Sequence, residues 1–252
     1  MNVIGHLQKE FLLSVEGLTV SFDGFKAVDG LSLYLEEGEI RVIIGPNGAG
    51  KTTVLDLICG RTHATEGSIK FRGRELTSMR EDDIVHAGVG RKFQTPSIYE
   101  DLTVFENLEL SYPKGQSVFG SLFFHRDQKV IERVREIAEM VFLVSELDKR
   151  AEYLSHGQKQ WLEVGMLLIQ DPELLMLDEP VAGMSVSERE RTAELLKRIV
   201  QGRSVLVVEH DMKFVENIAD RVTVLHQGKV LSEGSMRHVK NDPEVIEVYL
   251  GH

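Results

Sequence analysis

The chain contains a single cysteine, Cys59, among 252 residues. That excludes an internal disulfide framework and suits a reducing compartment, with packing the expected role for this thiol. Long apolar runs are also missing. The longest, such as Val164-Gly165-Met166-Leu167-Leu168-Ile169, fall far short of the roughly 20 residues a helix needs to span a bilayer, and the N-terminus lacks a basic-then-apolar export signal. Neither export nor membrane insertion is expected. There is no excess of Lys and Arg: 29 stand against 40 Asp and Glu, a formal charge of -11. Nonspecific binding to nucleic acid needs such an excess to neutralise phosphates, so only a local basic patch could support it, and the acidic surface reads first as solubility. No His/Cys cluster has the spacing of a zinc or iron site. No internal repeats or low-complexity linkers appear. The 42% hydrophobic content is that of an ordinary soluble protein, enough for one substantial core with an inserted subdomain.

Against these absences stand two motifs. Val42-Ile43-Ile44 reads as a strand and runs into Gly45-Pro46-Asn47-Gly48-Ala49-Gly50-Lys51-Thr52, which fits G-x-x-x-x-G-K-[ST]. In that pattern successive backbone N–H groups surround phosphates, and the following helix points its positive end at them. Lys51 would reach the β and γ phosphates of a nucleotide and Thr52 a magnesium ion. Far downstream a second strand-like run, Leu174-Leu175-Met176-Leu177, ends in Asp178-Glu179-Pro180. Together the two motifs spell ATP hydrolysis.

The rest of the chain supplies a frame. Residues 11 to 40 read as strands and turns, with Leu31, Leu33 and Leu35 alternating with Ser32 and Tyr34, which predicts a small antiparallel layer. A helix is expected from about Lys51 to Cys59, then a strand around Ser68 to Phe71. Between about Gln94 and Tyr153 the texture turns helical, Val130, Val134, Ile137, Ala138 and Val141 recurring on one face. Tyr112 to Phe124 is loop-like yet apolar. A helix carrying Trp161, Leu162, Leu167 and Leu168 is stopped at Asp171-Pro172. Val205-Leu206-Val207-Val208 reads as a buried parallel strand, and Gln227-Gly228 turns a final hairpin before a C-terminal helix or tail.

Between the two phosphate motifs stands Leu154-Ser155-His156-Gly157-Gln158, directly before the Trp161 helix. With Gln94 upstream and His210 downstream, the ordered set resembles the ABC-type ATPases over nearly the whole chain. The phosphate loop alone is weakly specific; the ordered set is highly so. The resemblance implies an α/β fold: a RecA-like nucleotide-binding core (1–94 and 161–235) with an N-terminal antiparallel β layer, an inserted helical subdomain (95–160) and a C-terminal tail (236–252), all one ATPase domain. It further implies that Phe22 stacks on adenine, with Phe25 as the competing aromatic, and that Gly45, Pro46, Asn47, Gly48, Ala49, Gly50, Lys51, Thr52 and Thr53 hold the nucleotide. Asp178, with Thr52 and Gln94, would hold Mg2+. Glu179 would polarise the attacking water, Gln94 would report γ-phosphate occupancy to the helical subdomain, and His210 would face the γ-phosphate.

Leu154, Ser155, His156, Gly157 and Gln158 would act in trans on ATP held by a second subunit, Ser155 and the Gly157 N–H supplying anion donors. Two departures stand out. His156 replaces the glycine of the commonest signature, and the distal loop Ala182-Gly183-Met184-Ser185 lacks the frequent terminal aspartate. By the same resemblance the chain would dock on separate permease subunits at the cytoplasmic face of the inner (plasma) membrane. There it would pair with a second, related ATPase, a heterodimer being favoured over a homodimer, and serve a periplasmic or extracellular solute-binding protein, with no nucleic acid partner. Thr95-Pro96-Ser97-Ile98-Tyr99 would receive a permease helix or, alternatively, pack the subdomain core. Leu154 to Glu163, Asp178 to Met184 and Val208 to Met212 are most similar to the urea and branched-chain amino acid branch. That likeness implies urea as the solute, with branched-chain amino acids or another small polar solute as the alternative. A soluble, non-transport ABC ATPase is the rival class; it would normally bring paired cassettes, a long coiled coil or a basic surface.

Overall fold

The strands that carry the phosphate motifs form where sequence periodicity changes from alternating to continuously apolar. The computed structural model describes residues 11–92, 98–113 and 128–250. Gln94, Thr95, Pro96, Ser97 and most of the Tyr112 to Phe124 segment lie outside them. The chain divides into two compact units, one comprising the residues up to 87 together with those from 220 onward, the other residues 88–219.

In the first unit, β1 (Leu13–Phe22) and β2 (Phe25–Leu35) form an antiparallel hairpin. Its turn residues, Asp23 and Gly24, both take positive φ, at 49° and 88°, as a two-residue hairpin loop of the favoured twist requires. Leu31, Leu33 and Leu35 are buried while Ser32 and Tyr34 face outward, so the alternation in the sequence sets the register. β4 (Glu66–Phe71) joins the other edge of β1, and β5 (Arg74–Glu75) extends it, giving the order β2-β1-β4-β5. β3 (Ile40–Ile44) pairs in parallel with β9 (Arg221–His226), which turns through Gln227-Gly228 into antiparallel β10 (Lys229–Gly234). The C-terminal residues form two helices, Met236–Lys240 and Pro243–Leu250.

β3 launches the phosphate loop, and a buried charge fixes it. The Arg41 side chain is fully buried; its Nε meets Glu39 Oε1 at 2.6 Å and its Nη1 meets Glu233 Oε2 at 2.6 Å. Nη1 also lies 3.1 Å from Thr223 Oγ1, and Nη2 donates to the Tyr34 carbonyl at 2.8 Å. One guanidinium thus ties β3 to β9, β10 and the end of β2. Removing it would strand the Glu39 carboxylate in the interior, so Arg41→Ala is expected to cost about 3–5 kcal/mol of stability. A guanidinium unfolding midpoint close to that of the wild type would refute this role.

In the second unit, β6 (Val89–Lys92), β7 (Leu174–Asp178) and β8 (Ser204–Val208) are parallel, in the order β8-β7-β6. All are buried along their length, and β7 and β8 accordingly read as continuous apolar runs. The helix Gln128–Met140 buries Val130, Val134, Ile137 and Ala138 on one face, and the helix His156–Leu168 is fastened to the helix Val186–Ile199 by a 2.9 Å bond from Trp161 Nε1 to Thr192 Oγ1. Among the described residues, no helix is long and apolar enough to cross a membrane.

Candidate functional site

In the first unit the helix Lys51–Ile58 begins at Gly50, whose φ of 98° is left-handed, and no side chain caps its N-terminus. Its first turn therefore suits an external anion, and no acidic residue sits there to compete. The loop is held from outside. A Cβ at Gly45 would overlap the Leu225 carbonyl, one at Gly50 would come within 2.5 Å of the Ala27 carbonyl oxygen, and the Ala49 carbonyl accepts from Gly228 N–H at 3.1 Å. Glycine is required where the backbone of β2 and the β9–β10 turn press against the loop. Lys51 Nζ donates to the Gly45 and Pro46 carbonyls at 2.7 and 3.0 Å, so the charge is folded over the loop it would serve. Asn47, Gly48 and Thr52 are exposed, and Pro46 and Thr53 partly so. Phe22 and Phe25, the two aromatic candidates, sit opposite each other at the end of the hairpin, 49% and 68% exposed. Neither packs in the core.

In the second unit the Asp178 carboxylate closes β7 and is buried. A buried hard-oxygen donor at a strand end fits a magnesium ligand in kind. Glu179 follows with φ 48°, a left-handed conformation that is uncommon for glutamate, and its N–H donates to the Val208 carbonyl at 2.9 Å. The turn this creates brings Glu179 Oε1 to 3.4 Å from His210 Nδ1, whose side chain is well exposed. Two predicted residues 31 positions apart thus meet at the ends of neighbouring strands.

Glu209, which the sequence did not single out, supports both. It is 1% exposed, and its Oε2 accepts the backbone N–H of His210 at 2.6 Å and of Asp211 at 3.1 Å, while Oε1 takes the Val181 N–H at 3.4 Å. Asp211 caps the helix Met212–Ile218 through the Lys213 and Phe214 N–H groups and pairs with Arg189 Nη1 at 2.6 Å. Its place directly after the apolar run Val205 to Val208 was the only signal the sequence offered for Glu209.

The signature segment forms a helix start. Ser155 is the N-cap of the helix His156–Leu168, in a reciprocal capping box with Gln158. Ser155 and His156 are exposed and Leu154 and Gly157 buried. Ser185 forms the same box with Glu188 at the start of the helix Val186–Ile199. The Glu188 carboxyl is held below its ordinary value, first by the Ser185 backbone N–H, then by the Ser185 hydroxyl, against a smaller desolvation effect in the opposite sense. Gln94 lies outside the described residues.

A phosphate loop launched from a buried strand, together with an aspartate–glutamate pair ending another, defines a phosphate-loop nucleoside triphosphatase. Comparison with known proteins refines the class. The family described as ABC transporter matches residues 28–182, more than half of the chain, and one described as branched-chain amino acid ATP-binding cassette transporter matches residues 229–252. The high-affinity branched-chain amino acid transport ATP-binding protein LivG of Salmonella typhimurium is 37% identical over 249 residues, covering 95% of this chain and 98% of that one. Among solved structures, the ADP conformation of an ATP-binding cassette of an ABC transporter superimposes with a TM-score of 0.85 at 32% identity, over 96% of this chain and 99% of that one. A dimeric post-hydrolysis state of another ATP-binding cassette, bound to ADP and phosphate, gives 0.73 at 25% identity, over 89% and 99%. This chain belongs to the ABC transporter family and is one of its ATP-binding cassettes. Its α/β fold is that of known cassettes, and the chain is an ATPase.

Proposed function

We propose that the chain is the ATP-hydrolysing subunit of a membrane importer, and that the solute is urea. The observation that carries the reaction is the contact of Glu179 with His210 at the strand ends. The Gly45 to Thr53 loop holds the phosphates, Lys51 neutralises them, and Phe22 stacks on the base. Glu179 accepts a proton from the attacking water while His210 orients the carboxylate and faces the γ-phosphate. Thr52, Asp178 and Gln94 would hold Mg2+, which when bound supplies charge neutralisation across the β and γ phosphates. Leu154 to Gln158 complete the site of a second, related cassette in a dimer, a heterodimer being favoured.

The likeness of Leu154 to Glu163, Asp178 to Met184 and Val208 to Met212 to urea transporters supports urea as the solute. Branched-chain amino acids are the second reading, favoured by what the similar LivG protein is named for. Deleting the gene and measuring uptake of labelled urea and labelled leucine separates the two. Loss of urea uptake alone is expected; loss of leucine uptake alone would transfer the assignment.

Coupling to the permeases at the cytoplasmic face is assigned to the segment around Ile98 and Tyr99. Tyr99 is 57% exposed although its backbone N–H and carbonyl are both held by the buried Asn107 amide, at 2.8 and 3.0 Å. A cleft of about 190 Å³, lined by Lys92, Ser111, Met166 and Leu167 among others, opens in the same unit. Changing Ile98 and Tyr99 to serine should leave ATP affinity within about twofold, since neither is assigned to the nucleotide, yet abolish uptake. A folded double variant with normal uptake would contradict the assignment.

A further inference from the structure

His156, at the position where the commonest signature has glycine, does not hang free. Its Nε2 lies 3.0 Å from the Ala182 carbonyl. A carbonyl can only accept, so Nε2 carries the proton and donates. Gln160 Nε2, 3.5 Å from the same ring nitrogen, packs beside it. The Ala182 N–H in turn bonds the Glu179 carbonyl at 3.2 Å, so His156 grips the far end of the turn that carries the water-polarising carboxylate.

A second bond joins the same two segments. Ser155 Oγ donates to Glu188 Oε1 at 3.2 Å, while Glu188 Oε2 accepts the Ser185 N–H at 2.9 Å and the Ser185 hydroxyl at 2.8 Å. Both contacts run close past a glycine. A Cβ at Gly157 would overlap the Glu188 carboxylate, and one at Gly183, where φ is +72°, would come 3.1 Å from His156 Nε2. The two glycines, the imidazole and the carboxylate fit as one device.

We propose that His156 is a positioning residue which, with Glu188, latches the signature to the distal loop of the same cassette. The signature offered to the partner's ATP is thereby placed by the state of this chain's own Glu179 turn. The inference rests on the reading that Ser155 and Gly157 act in trans, the Ser155 hydroxyl turning from Glu188 to the partner's phosphate while His156 keeps its bond to the Ala182 carbonyl. It has a kinetic consequence: the two sites of a dimer become coupled through His156, giving a sigmoidal dependence of turnover on ATP.

The test uses the chain assembled with its second cassette and permeases. His156→Ala should lower kcat about tenfold and make the ATP dependence hyperbolic, with binding of a fluorescent ATP analogue to the chain's own phosphate loop unchanged. His156→Gln, whose amide nitrogen reaches about as far as Nε2, should restore most of both. Because His156 is exposed, neither change should alter the melting curve. If His156→Ala nevertheless melts early, His156→Gln alone decides: sigmoidal turnover in it supports the latch, and its loss refutes it. Wild-type kinetics in a folded His156→Ala variant, or failure of glutamine to rescue, would overturn the proposal. Ser155→Ala separates the two levels: if it is slow while His156→Ala is normal, only the latch fails, and if Ser155→Ala is itself normal, the trans reading fails and takes the latch with it.

Discussion

Replacing Glu179 with glutamine is expected to stop ATP turnover while leaving ATP bound. Glutamine has the size of glutamate and keeps an acceptor oxygen toward His210, 3.4 Å away in the native pairing, but it cannot take a proton from water at neutral pH. The left-handed backbone and the bond to the Val208 carbonyl, at 2.9 Å, do not depend on the carboxylate, so the turn should persist. Positioned proton acceptors contribute about 10²–10⁴-fold in rate, and a loss of that size in kcat is the expected result. With the related cassette present, the ATP-bound dimer should then accumulate, visible as a nucleotide-dependent rise in mass by light scattering. Turnover within a few-fold of wild type would remove Glu179 from the chemistry.

Lys51→Ala should fail earlier, at binding. In the structure Lys51 Nζ occupies the Gly45 and Pro46 carbonyls, which keeps the ammonium over the loop and ready to transfer to phosphate oxygens. A hydrogen bond to a charged group is worth about 1.5–3 kcal/mol net, so affinity for ATP should fall roughly 10- to 150-fold. Adenosine, which has no phosphates, should bind both forms alike. An alanine variant that keeps its ATP affinity, measured by calorimetry, would show that the loop amides alone hold the nucleotide.

Much of this was legible because the local signals are strong. Leu31, Leu33 and Leu35 announced a strand with one buried face, and the unbroken run at Val205 to Val208 announced a strand buried on both. The phosphate loop read from its spacing, and the Asp178-Glu179 pair from its place at the end of an apolar run. What escaped depended on long-range contact. Arginine is ordinarily exposed, so nothing local in β3 foretold that Arg41 would be buried against Glu233, nearly two hundred residues away. Glu209 looked like a neighbour of His210, yet it is the buried acceptor that holds the loop's N–H groups. His156 was visible as a departure from the usual glycine, but its partner, the Ala182 carbonyl, belongs to a turn whose shape depends on the positive φ at Glu179 and Gly183.

The proposal that this cassette powers a urea importer is tested most directly by purifying the chain under mild detergent from membranes and assaying the assembly for ATP hydrolysis with and without urea. The account predicts that two permease chains and a second, related cassette accompany it, and that urea together with the solute-binding protein raises turnover. Recovery of the chain alone in the soluble fraction, or an assembly whose hydrolysis responds to leucine and not to urea, would contradict it.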